Sequence, residues 1–93
     1  MNGAEIRRAS RARVSPAELV DHLELLVRAD PAFGGMTFPQ IDLQPRPEEP
    51  GRANWAIGPF WNWEAAAQQR AALYRAIGRA KEQFDVAWWP EGQ

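Results

Sequence analysis

The sequence predicts a small two-layer α+β domain in the order helix, strand, strand, helix, and it allows a short third strand at the C-terminus. Three observations carry this expectation. A complete set of helix-start signals precedes an apolar stripe at residues 15–27, a middle region punctuated by proline and glycine alternates in period two, and an alanine-rich stretch follows from 63 to 84. Ninety-three residues with 45% hydrophobic and 25% charged content are ordinary globular values, so a packed core is expected throughout one domain at 15–93. With no cysteine, disulfides and thiolate metal sites are excluded, and stability must come from packing.

The first stretch, "MNGAEIRRASRARV", has only Ile6 and Val14 as sizeable apolar residues, and it carries four arginines against one glutamate. It reads as a mobile basic arm over residues 1–14, net +3, ahead of an acidic segment at 15–50 that is net −5. The first helix is predicted from "VSPAELVDHLELLVRADP". Ser15 suits the N-cap, Pro16 the first helical position, and Glu18 can close a capping box, with Val14 and Leu19 placed as a hydrophobic staple. Leu19, Val20, Leu23, Leu26 and Val27 then form one apolar stripe, and Asp30-Pro31 closes the helix.

Between Ala32 and Gly58 the pattern is that of a hairpin. Gly34-Gly35 is a turn; Met36 and Phe38 alternate in one phase, Ile41 and Leu43 in the other, which implies a bulge or kink at Pro39-Gln40. "QPRPEEPG" is a loop by composition, and the second strand sets Ala53, Trp55 and Ile57 on one face, with Asn54 and Ala56 on the other. Asn62 is the expected N-cap of the second helix, "WEAAAQQRAALYRAIGRAKEQF". At 100° per residue, Trp63, Ala66, Ala67, Leu73, Tyr74, Ile77 and Phe84 fall on its buried face, with Arg70 and Lys81 projecting near the centre of that face. Snorkelling of the Arg70 and Lys81 stems past the sheet edge is one explanation, and an anion site or interface ion pair is the other. Both helices are expected on one sheet face.

The chemistry-bearing inventory is thin. His22 is the single histidine and reads as a boundary residue; Asp21 and Glu24 read as a solvated acidic face. Ser10 lies in the arm and Ser15 is a cap, and Gly34-Gly35 lacks a phosphate-loop context, so no enzyme, metal or cofactor is expected. No apolar run approaches a membrane span and no secretory h-region is present, which predicts a cytoplasmic protein without a membrane partner.

Binding is the class that remains. Trp61, without a structural assignment, and Trp88-Trp89 before Pro90 are expected to form an apolar contact surface for a protein partner or a second copy, with Arg70 as its polar anchor. On a strand, at most one of Trp88 and Trp89 can face the core. The alternative partner is nucleic acid, met by Arg7, Arg8, Arg11 and Arg13 of the arm, although the pI near 5.8 and the acidic folded part weigh against it.

"RANWAIG", an alanine-rich helix and "KEQFDVAW" together resemble a group of short open reading frames of proteobacterial genomes and prophages, in which an NWxxG strand precedes a helix ending in an aromatic-Asp-aliphatic stretch, here Phe84-Asp85-Val86. The resemblance covers roughly residues 15–89. It implies a bacterial or phage source and the helix-hairpin-helix order, but no activity.

Overall fold

A computed structural model of the protein describes residues 11–60 and 63–90. Its elements run β1 (Ala12–Val14), α1 (Pro16–Arg28), β2 (Leu43–Pro45), β3 (Trp55–Ile57), α2 (Ala67–Gln83) and β4 (Phe84–Val86). The α+β class and the helix-hairpin-helix order are those the sequence predicts. The strands, however, make two separate two-stranded sheets rather than one sheet beneath both helices. β1 pairs with β4 in parallel, Val14 opposite Val86, and β2 pairs with β3 antiparallel, Pro45 opposite Trp55.

α1 starts where its signals place it. The Ser15 hydroxyl accepts from Glu18 N at 3.1 Å, and Glu18 Oε1 accepts from Ser15 N at 3.2 Å, so two of the helix's orphan donors are satisfied reciprocally. Leu19, Leu23 and Val27 of α1 meet Ala72, Leu73, Ala76, Ile77 and Ala80 of α2, and Phe33, Trp55 and Val86 complete the core. Alanines at 72, 76 and 80 lie on one side of α2, one above another, and leave room for the longer α1 side chains. Tyr74 points outward instead of into the core, a correction to the expected helix face. The helix turns three alanines together with Leu73 and Ile77 toward its neighbour and leaves its one aromatic ring outside.

Three further expectations change. Residues 12–14 form β1 and are part of the fold, so a basic arm ending at 14 overruns its boundary; parallel pairing with a strand some 72 residues away orders them, which nothing local could signal. The first hairpin strand shrinks to Leu43–Pro45, because Pro39 interrupts the alternation and Met36 to Asp42 follow an irregular path. α2 begins at Ala67 rather than just after Asn62. Gln69 Oε1 accepts from Ala66 N at 2.9 Å, a side chain reaching back over the first turn in place of an N-cap. Asn62, the expected cap, lies outside the described residues, as do Arg7, Arg8 and Trp61.

The short third strand is present at Phe84–Val86. Asn54, expected on the outer face of the hairpin, is 5% exposed and ties the two sheets together. Its Nδ2 donates to Val86 O and its Oδ1 accepts from Val86 N, both at 2.8 Å, so that one side-chain amide acts as a strand partner for β4. Asn54 N in turn donates to Asp85 Oδ1 at 3.2 Å, and Trp55 Nε1 to Phe84 O at 3.1 Å.

Candidate functional site

β3 ends at Ile57, and Gly58 N still donates to Asp42 O at 2.8 Å. A side chain at Gly58 would meet Asp42 Oδ2 at 2.8 Å and Gln44 Nε2 at 2.9 Å, so any larger residue would require those two side-chain ends to move aside. Pro59 then leads Phe60 out of the sheet. The Phe60 ring lies 5.2 Å from that of Trp63 and 6.5 Å from that of Tyr74, the three forming a continuous aromatic cluster on the N-terminal half of α2. Phe60 and Trp63 are half-buried, and Tyr74 is 59% exposed.

Arg70 organises the edge of this cluster. Its Nη2 donates to Trp63 O and its Nε to Ala65 O, each at 3.3 Å, while the guanidinium carbon stands 5.5 Å from the Trp63 ring centroid. Trp63 Nε1 donates to Thr37 O at 3.4 Å. These contacts tie the extended segment 63–65 to the first turn of α2 and to Thr37, ahead of the helix start at Ala67. They also correct the position of Arg70, which lies exposed over the first helical turn and away from the centre of a buried face. Lys81 is half-buried, its ammonium 5.8 Å from the Trp55 ring.

No family model, curated protein or solved structure matches the chain. What the site can do therefore follows from its side chains alone: an aromatic surface with a fixed cation at its rim suits noncovalent contact. Among the described residues, no three His, Cys, Asp or Glu side chains come together as a metal site would need, and no helix is long and apolar enough to cross a membrane.

The other sequence-predicted site residues separate. Trp88 is 57% exposed and Trp89 packs on the core, a division that two adjacent side chains on an extended chain require. Among the described residues no hydrogen bond or ring contact joins either of them to Arg70. Arg13 forms an ion pair with Glu48, and Arg11 donates from Nε to Lys81 O at 2.9 Å, so both belong to the folded part. Phe60, Trp63 and Tyr74 are the members that sequence reasoning missed as surface. The available signal is an arginine seven residues after Trp63, on the same face of the expected helix.

Electrostatics locks the two helices together at a second point. Asp30 Oδ2 accepts from Arg75 Nε at 3.0 Å and Nη2 at 2.8 Å, and Asp30 Oδ1 accepts from Ala32 N at 3.1 Å. The Arg75 guanidinium, then the Ala32 N–H, holds the carboxyl below its ordinary 3.8. A folded-state pKa below the unfolded one contributes stability that is fully present above the unfolded value and disappears as pH falls through the folded value. Asp30→Asn is therefore expected to lower the urea midpoint at neutral pH, and the gap from the wild type should close as pH falls below 3.8. A gap unchanged down to about pH 2 would show that Asp30 is not the titrating group.

Proposed function

We propose that this chain is a small, non-catalytic, cytoplasmic binding protein that recognises another protein, or a second copy of itself, through the aromatic surface of Phe60, Trp63 and Tyr74 with Arg70 at its rim. The observation that carries this reading is the Arg70 guanidinium, held against Trp63 by two backbone carbonyls beside an exposed Tyr74. Tryptophan, tyrosine and arginine are the residues over-represented among interface hot spots, and a side chain already fixed loses little freedom on binding. Arg70 uses two N–H donors on carbonyls and keeps others for a carboxylate. The partner expected is one that lays an apolar side chain on the rings and an acidic one beside Arg70. Trp88 offers additional apolar area, and Trp61 adjoins Phe60 in sequence.

The nucleic-acid alternative loses support at Arg13, whose charge is taken up by Glu48, and rests on Arg7, Arg8 and Arg11. The bacterial or phage source implied by the NWxxG resemblance directs the experiment to a lysate of the source bacterium. The intact chain should capture a protein in a saturable complex, weakened about tenfold or more by Tyr74→Ser and by Arg70→Ala, both at exposed positions. Light scattering over a concentration series distinguishes a second copy from a different partner. Equal capture and unchanged mass for the wild type and both variants would overturn the aromatic surface.

A further inference from the structure

At the opposite end of α2 from the aromatic cluster, the β2–β3 loop, the start of β1 and the last helical turn enclose a groove of about 580 Å³. Among the described residues, Arg11, Arg46, Arg52 and Lys81 line it, against the carboxylates of Glu49 and Glu82. We propose that this groove is an anion site that takes a small phosphorylated molecule, with those four cations as its ligands. The site is independent of the protein-recognition surface proposed above.

The first argument is charge. The whole sequence is net −1, whereas the groove lining is net +2, so the cations are concentrated there. The second is how these cations are held. Three arginines elsewhere have close carboxylate partners, Arg13 with Glu48, Arg28 with Glu24 at 2.8 Å and Arg75 with Asp30 at 2.8 Å, while Arg70 is held on carbonyls. In the groove the one ion pair among the described residues is Arg52 with Glu49 at 3.8 Å, between well-exposed side chains, too long and too wet to neutralise either group. Arg11 is instead anchored on carbonyl oxygens, Lys81 O at 2.9 Å and Gly51 O at 3.4 Å. Those bonds fix the guanidinium without discharging it. Lys81 is placed over the face of Trp55, and among the described residues it forms no ion pair.

The C-terminal end of α2 would by itself repel an anion, because its carbonyls carry the negative end of the helix dipole. Arg11 covers one of those carbonyls and Lys81 stands in the last turn, so two cations oppose the dipole there. The wall opposite is stiff: Pro47 precedes, and Pro50 occupies the second position of, a turn in which Arg52 N donates to Glu49 O at 3.2 Å and Gly51 takes φ of 79°.

The chemistry of the ligand follows from the donor set. Three guanidinium forks and an ammonium exceed what one carboxylate can accept and match a phosphoryl or diphosphoryl group with several anionic oxygens. The volume lies in the range of small-molecule sites. A stacked nucleobase of a single strand would need an exposed ring, whereas the aromatic lining the groove, Trp55, is 1% exposed. A compact phosphorylated molecule fits better than a polymer.

Titration calorimetry of the intact chain at low ionic strength with inorganic triphosphate, pyrophosphate and orthophosphate tests this. Saturable one-site binding of triphosphate is expected, weakening with fewer phosphates, and about tenfold or more weaker in the Arg46→Ala/Arg52→Ala double variant. Both positions are exposed, so melting should be unchanged, and Arg79→Ala, outside the groove, should bind within about twofold of the wild type. Three results would overturn the site: no saturable heat with triphosphate, an equal loss in Arg79→Ala, or binding confined to oligonucleotides that tightens with their length, which would assign the cations to nucleic acid.

Discussion

Asn54→Ala is expected to destabilise the protein by about 3 kcal/mol, lowering its melting temperature by roughly 10–20 °C. The side chain satisfies both backbone groups of Val86, its N–H and its carbonyl, in a place where Asn54 is 5% exposed and Val86 1%. Truncation to a methyl leaves a donor and an acceptor without partners, each costing about 1–3 kcal/mol when buried. Asn54→Asp should be no better: its carboxylate can still accept from Val86 N, but it faces Val86 O with no donor and brings a charge into the interior. Hydrogen exchange supplies a local readout, because the Val86 amide should lose protection before the amides of α1 and α2 do. A fall in melting temperature of less than about 3 °C would mean that solvent or another side chain replaces the amide, and that the two sheets are not joined at this residue.

That asparagine also shows what the sequence reveals and what it conceals. The start of α1 is legible because its determinants, Ser15, Pro16 and Glu18, lie within four residues and act on one another. Trp55 and Ile57 sharing one side of β3 is legible for the same reason, since alternation is local. Asn54 falls on the other side of that strand and reads as surface; only the arrival of β4, some 30 residues later, buries it. β1 is hidden more completely. "ARV" has no local strand signal beyond Val14, and its order comes from parallel pairing with Phe84–Val86.

The candidate site was half legible, for a reason that lies in helix packing. Weighing apolar size along α2 tilts the expected buried face toward Tyr74, its largest ring. The observed face instead follows Ala72, Ala76 and Ala80, which count little in such a sum but let α1 approach. Tyr74 is thereby released to solvent, next to Phe60 and Trp63. Arg70 stood out as an anomaly in the pattern because a cation near an apolar face needs a reason. That reason, a pair of carbonyls in the segment just before the helix, depends on the helix starting at Ala67.

Trp55→Ala is expected to cost about 4 kcal/mol, a large part of the 5–15 kcal/mol that holds a domain of this size together. Trp55 is the largest fully buried side chain, 1% exposed, and its Nε1 is bonded to Phe84 O at 3.1 Å. Removing it leaves a cavity between β3 and the core and an unpaired carbonyl in β4. Trp55→Phe separates these contributions: most of the ring volume stays, the hydrogen bond goes, and the loss should fall to about 1–2 kcal/mol. Trp88→Ser supplies the opposite case. Trp88 is 57% exposed, so its replacement should change stability by no more than about 0.5 kcal/mol. Urea unfolding of the three variants orders them, and equal losses for Trp55→Ala and Trp88→Ser would refute the division of the tryptophans between core and surface. Trp55 has one more consequence, because it floors the groove beneath Lys81. Trp55→Phe keeps a ring under that ammonium, so triphosphate affinity should survive a substitution that measurably weakens the fold, showing that the groove depends on its cations rather than on the indole N–H.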